Sequence, residues 1–150
     1  MRREHVLPAP GDTHALGREL AEVLRPGDLV VLVGPLGAGK TALTQGIGAG
    51  LGVREPVTSP TFVIARVHRG GRVPLVHVDA YRLGGGADVD DLDLDASTEE
   101  SVTVVEWGQG LVEQLADEHL VVELGRRDDD VRTARLIPHG PRWEERLDGA

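Results

Sequence analysis

Eight consecutive residues, Gly34-Pro35-Leu36-Gly37-Ala38-Gly39-Lys40-Thr41, constrain the fold more than any other part of the chain. They fit G-x-x-x-x-G-K-[ST], the phosphate-binding P-loop pattern, which works only between a strand and a helix. Both flanks are present. Asp28-Leu-Val-Val-Leu-Val33 is a short apolar, β-branched run and reads as a buried strand. Thr41 to Leu51 is long enough for three helical turns and carries Leu43, Ile47 and Leu51 at i, i+4, i+8. Such an arrangement aims backbone N–H groups and a helix N-terminus at a polyphosphate. Lys40 is expected to reach the outer phosphates and the Thr41 hydroxyl to ligate Mg²⁺. Lys40 is also the only lysine in the chain, every other basic side chain of that pair being arginine. An ammonium on a flexible stem suits phosphate chemistry better than a planar fork. A glycine-rich turn without function is the plain alternative, but the full pattern with both flanks arises rarely by chance.

With 150 residues and 40% hydrophobic content, the chain suits one domain built on a buried sheet with packed helices. A net charge of −9 argues against wrapping a nucleic acid unaided, because no basic excess exists to neutralise phosphates. The absence of cysteine excludes disulfides, Cys-ligated zinc and thiol nucleophiles. No stretch approaches the ~18 apolar residues of a membrane span. Met1-Arg2-Arg3-Glu4-His5, followed by Pro8 and Pro10, lacks the apolar core of a signal peptide, so a cytoplasmic protein is expected.

In chain order, residues 1–11 read as a loose lead-in. Asp12 or Thr13 can cap a helix in which Leu16, Leu20 and Leu24 form one stripe, and Pro26-Gly27 ends it. Gly46, Gly48 and Gly50 weaken the helix after the loop, with close packing on the sheet as the expected compensation, and Gly52 is a helix stop. Phe62–Val67 and Val73–Val78 flank Arg69-Gly70-Gly71-Arg72, a hairpin signal. Val102–Trp107, Leu120–Leu124 and Arg132–Ile137 are further strand candidates, and Leu111, Leu115 and Ala116 suggest a short helix. Residues 138–150 form a tail without a chemical pattern.

Two strand ends carry acids. The strand after the hairpin closes in Asp79, as a Walker B strand does, where a carboxylate holds Mg²⁺ directly or through water. Strands also end in Asp for capping reasons, and only the P-loop upstream tips the balance. Glu106 closes the next strand and is placed to orient an attacking water or complete the metal shell. Thr61 lies between the loop helix and the Asp79 strand, where switch segments reach back to a γ-phosphate; a turn residue after Pro60 is the equal alternative. Ala87–Asp95 holds five aspartates, but an EF-hand alignment puts Ala96 at the glycine position and Val102 at the bidentate glutamate position, so the calcium reading fails. A solvated acidic segment or a partner-facing loop remains.

Gly-Pro-Leu-Gly-Ala-Gly-Lys-Thr at 34–41, Ser-Pro-Thr-Phe at 59–62, His-Val-Asp-Ala-Tyr-Arg at 77–82 and Val-Glu-Trp at 105–107 together resemble the TsaE (YjeE) family, from about Thr13 to Arg135. That family comprises bacterial P-loop ATPases required for threonylcarbamoyladenosine modification of tRNA. The resemblance implies an α/β fold: a single P-loop NTPase domain with a mostly parallel central sheet flanked by helices, plus an added β-hairpin. It implies ATP and Mg²⁺ as cofactors, with Gly34 to Thr41, Ala42 and Arg132 around the nucleotide. Thr41, Asp79 and Glu106 would serve the metal, Lys40 charge stabilisation and Thr61 the γ-phosphate. It further implies slow ATP hydrolysis coupled to the transferase TsaD and its companion TsaB, with tRNA met only through them. Departures are the aspartate-rich stretch before Val105, where the family commonly has a glycine-containing helix and an aromatic, and Gly108-Gln109 in place of a proline-containing sequence.

Two other classes stay open: a small-metabolite P-loop kinase, disfavoured by an acidic rather than arginine-rich segment 84–101, and a nucleotide-gated binding module with little hydrolysis. A regulatory GTPase is disfavoured because the chain has no asparagine for an Asn-Lys-x-Asp guanine reader. Trp107 either stacks on a partner or packs.

Overall fold

The computed structural model describes residues 1–35, 39–53, 65–68, 71–79, 100–106, 118–129 and 131–149. Seven strands among them form one sheet: β1 (Glu4–Leu7), β2 (Leu29–Val33), β3 (Ala65–His68), β4 (Leu75–Asp79), β5 (Val102–Glu106), β6 (His119–Arg126) and β7 (Arg132–His139), in the spatial order β1-β7-β6-β2-β5-β4-β3. The four central strands β6, β2, β5 and β4 are mutually parallel. Antiparallel pairs β3–β4 on one flank and β6–β7–β1 on the other complete the sheet. The expected hairpin is the β3–β4 pair, whose residues 65–68 meet Leu75–Val78.

All five residues of β2 are buried, as expected of a strand covered on both faces. Inward-facing Val30, Leu32, Leu75, Val102, Val104, Leu120 and Val122 join one apolar cluster with residues of three helices. These are α1 (Pro10–Val23), α2 (Lys40–Leu51) and α3 (Pro141–Asp148). The stripes Leu16-Leu20-Leu24 and Leu43-Ile47-Leu51 both lie in that cluster. Gly52 ends α2 in the left-handed conformation, φ 84°, and the Val53 N–H returns to the Gly48 carbonyl at 2.9 Å, which satisfies the last turn.

Several expectations are corrected. The lead-in is ordered structure: β1 pairs with β7 from Glu4↔Arg135 to Leu7↔Arg132. α1 begins at Pro10 because proline fits the first helical position, and its cap residue is Ala9. Asp12 does not cap from outside but accepts the Ala9 N–H at 2.9 Å from within the first turn. The tail is not featureless either. β7 continues through Pro138, tolerated because β1 reaches only to Arg135 and leaves that side of the strand an edge. α3 then buries Trp143 and Leu147, four residues apart and therefore on one face.

Gly46 and Gly50 of α2 face α1, not the sheet. A Cβ on Gly46 would lie 2.1 Å from the His14 carbonyl oxygen, and one on Gly50 2.5 Å from Ala21 Cβ. From the other helix, a Cβ on Gly17 would lie 2.3 Å from the Leu43 carbonyl oxygen. The missing side chains let two backbones touch, which offsets their helical cost.

α3 is clasped to the start of β2. The Arg146 guanidinium donates to the Asp28 carboxylate at 2.6 Å and lies 4.4 Å over the Trp143 ring. The same Asp28 oxygen accepts the Arg25 N–H at 2.6 Å. Burial pushes the Asp28 carboxyl above its ordinary value, although the Arg25 amide and the Arg146 charge pull it down. A cavity of about 620 Å³ beside this clasp, walled in part by Trp143 and Arg146, lies at the opposite end of the sheet from the P-loop.

Candidate nucleotide site

β2 delivers the chain to the loop. Gly34 follows Val33 with φ 149°, and a Cβ there would stand 2.4 Å from the Leu124 carbonyl oxygen on β6. Only glycine lets the loop leave the sheet pressed against its neighbour. At the far end Gly39, φ 105°, is the cap residue of α2, and no side chain caps that helix start. The opening amides of such a helix face outward, where an anion binds. Leu36, Gly37 and Ala38 lie outside the described residues, and Pro35 is exposed.

Lys40 opens α2 and is buried, yet its Nζ donates to the Gly34 carbonyl at 2.8 Å, tying the two ends of the loop together. An ammonium has three protons, so one can stay on Gly34 while others meet phosphate oxygens. The Thr44 hydroxyl donates to the Lys40 carbonyl at 2.9 Å and stiffens the first turn from inside. Thr41 and Ala42 are half-buried. α1 backs this corner: Thr13 is buried, and a Cβ on Gly39 would lie 3.3 Å from its methyl group. Thr13 is thus a wall of the loop and not a helix cap; the signal for that was Pro10, which starts the helix early enough to carry Thr13 inside.

The two acids stand side by side. Leu32 of β2 is in register with Glu106 of β5, and Glu106 with Asp79 of β4. In parallel strands, residues in register lie level with one another, so positions 106 and 79 close adjacent strands at the same level, next to the loop strand. The Glu106 carboxylate is buried, with 6% of its side chain exposed. Its Oε1 lies 3.7 Å from Nε2 of His77, which is fully buried. His77, the first residue of the motif at 77–82, has no role assigned from sequence; its register with Val104 puts it on the face of Glu106. Thr61 and Trp107 lie outside the described residues, as do the acidic segment 88–95 and the helix suggested by Leu111, Leu115 and Ala116.

Arg132 begins β7 at the same end of the sheet, in register with Arg126, but β6 separates it from β2. The neighbouring turn is held by the Val131 N–H on Asp129 Oδ1 (3.2 Å) and by the Arg127–Asp129 pair (2.9 Å). A tight glycine cradle, an uncapped helix start and a buried ammonium fit a polyphosphate. Oxygen-bearing residue types at Thr41, Asp79 and Glu106 fit a hard divalent cation such as Mg²⁺.

The family profile described as "Threonylcarbamoyl adenosine biosynthesis protein TsaE" matches residues 7–135. The chain belongs to the TsaE family. It is 58% identical over 135 residues to the tRNA threonylcarbamoyladenosine biosynthesis protein TsaE of Streptomyces coelicolor, covering 85% of this chain and 91% of that one. Against the protein of the same name in Bacillus subtilis, identity is 39% over 136 residues, covering 90% and 85%. A crystal structure of YdiB from Bacillus subtilis superposes with a TM-score of 0.82 at 34% identity, covering 97% of this chain and 91% of that one. The TsaE match stops at Arg135, so it includes the loop, both strand-end acids and Arg132 but not α3. No helix among the described residues is long and apolar enough to cross a membrane.

Proposed function

We propose that the chain binds and slowly hydrolyses Mg-ATP as the ATPase component of tRNA threonylcarbamoyladenosine biosynthesis, its turnover coupled to the TsaB–TsaD transferase complex. The observation that carries this is the Lys40–Gly34 bridge at the end of β2, next to the strand ends at which Glu106 and Asp79 stand in register, in a chain of the TsaE family. The loop amides and Lys40 hold the phosphates and take up charge that develops on the transferring group. The Thr41 hydroxyl and the Asp79 and Glu106 carboxylates hold the metal, and Glu106 also orients the attacking water. Bound Mg²⁺ supplies charge neutralisation on the phosphate oxygens. Thr61 senses the γ-phosphate, and Arg132 approaches the nucleotide from β7. A net charge of −9 supports a role in which tRNA is held by the partners.

Phosphate release from Mg-ATP, with and without TsaB–TsaD, beside Lys40→Ala, tests the reading. Slow basal hydrolysis, stimulated by the partners and lost in the variant, is the expected result. Nucleotide-dependent partner binding without stimulation would favour a gated binding module. If neither partner binding nor partner stimulation occurs, the coupled-ATPase reading is wrong, and a screen of phosphoryl acceptors would then test for a kinase.

A further inference from the structure

His77 is the most deeply buried ionisable side chain near the nucleotide site, with no exposed surface. Neither of its ring nitrogens has a hydrogen-bond partner among the described residues. Leaving two polar atoms dry in a core is costly, and stable folds rarely tolerate it without a reason. One group among the described residues stands close enough to answer: Glu106 Oε1, 3.7 Å from His77 Nε2 and itself buried. That separation is slightly too long for a hydrogen bond, and contacts in an active site often tighten only when its ligands arrive.

The strand register brings the two side chains together. His77 is level with Val104, two residues before Glu106 on β5, so His77 lies on the same face of the sheet as Glu106, one pleat further from the loop. Val104 is part of the apolar core, so among the described residues the polar group near the imidazole lies towards the strand ends, at Glu106.

We infer that His77 is the positioning residue for Glu106: through Nε2–H it holds one carboxylate oxygen inward, so that the other faces the metal and the attacking water. The inference rests on the reading of Glu106 as a group that serves the metal. His77 itself touches neither nucleotide nor metal. Its place matches that of outer-shell donors that orient metal-ligating carboxylates, whose loss typically weakens metal affinity about ten- to a hundredfold.

The test is Mn²⁺ affinity in the presence of ADP, read by electron paramagnetic resonance, together with ADP affinity in EDTA. Wild type is compared with His77→Leu, His77→Gln and Glu106→Gln. His77→Leu should weaken Mn²⁺ binding about tenfold or more while leaving metal-free ADP binding unchanged. His77→Gln, which keeps a donor near the Nε2 position, should recover most of that loss. His77→Leu combined with Glu106→Gln should be no weaker than Glu106→Gln alone, because both act through one group. If Glu106→Gln weakens Mn²⁺ and His77→Leu does not, the positioning role is refuted while the metal role of Glu106 stands. If Glu106→Gln leaves Mn²⁺ binding at the wild-type level, the reading of Glu106 itself fails and the inference falls with it. Should His77→Leu not fold, His77→Met offers a similar volume without a donor and faces the same criteria.

Discussion

Lys40 Nζ bonds the carbonyl of Gly34 at 2.8 Å, so the first glycine of the loop and the lysine six residues later hold each other in place. The ammonium is buried in a cradle where Gly34 already lies against Leu124. An arginine there would bring a rigid planar fork to a space shaped for a point charge. Lys40→Arg should therefore fail like Lys40→Ala, with ATP hydrolysis falling about a hundredfold or more. Phosphate release by the two variants, side by side, checks this; wild-type activity in Lys40→Arg would show that charge alone suffices.

The α1–α2 seam gives a second expectation. Gly46→Ala places a methyl group where the His14 carbonyl oxygen stands, and overpacking of this kind costs about 1–3 kcal/mol despite alanine's better helix propensity. Gly11→Ala is the internal control, since nothing lies within 4 Å of a Cβ at that position in α1. Urea unfolding should show Gly46→Ala destabilised and Gly11→Ala unchanged or slightly stabilised.

Removing one partner of a buried ion pair strands the other. Arg146 and Asp28 keep 13% and 10% of their side-chain surfaces exposed. Arg146→Ala should cost about 3 kcal/mol, because the Asp28 carboxylate loses its cation and Trp143 loses its stacked guanidinium. Arg142→Ala breaks only the bridge to Glu118, whose arginine is 78% exposed, and should cost much less. Chemical denaturation of both variants under one set of conditions decides the order.

The same clasp predicts a pH trend. Burial raises the Asp28 carboxyl above its ordinary value of 3.8, so the folded chain holds that proton more tightly than the unfolded chain. The resulting stabilisation is full below the unfolded value and is lost as pH rises through the higher folded value. Asp28→Asn lacks it. The unfolding free energy of the variant minus that of wild type should therefore rise as pH is raised from below 3.8 through the higher folded value. A flat or falling difference would mean that the Arg146 charge outweighs burial.

How much of this was legible in sequence depended on whether the information was local. The loop, β2, α2 and the stop at Gly52 were readable because each rests on a pattern within a dozen residues. β1 was not: of its four residues only Leu7 is buried, while Val6 is 62% exposed, so no alternation marks the strand. α3 hid behind its charges, with Trp143 and Leu147 alone facing the core. Gly46 and Gly50 of α2 announce a close approach but not its partner, since the touching surface belongs to α1 and only tertiary packing identifies it. At the site, the acids Asp79 and Glu106 are legible as strand ends, whereas His77 carries no sign of a role beyond its place in the motif at 77–82. Its meaning comes from Glu106, 29 positions away in sequence and one strand away in space.

The strand order also bears on how the chain is made. β2 leaves the ribosome early, yet both of its neighbours, β5 and β6, lie at residues 102–106 and 119–126. The α1–α2 seam can close once residue 51 has emerged, but the strand that carries the loop must wait with both edges unpaired through most of translation. The loop is therefore framed on both sides only near the end of synthesis, although its own residues, 34–41, are among the first third to appear.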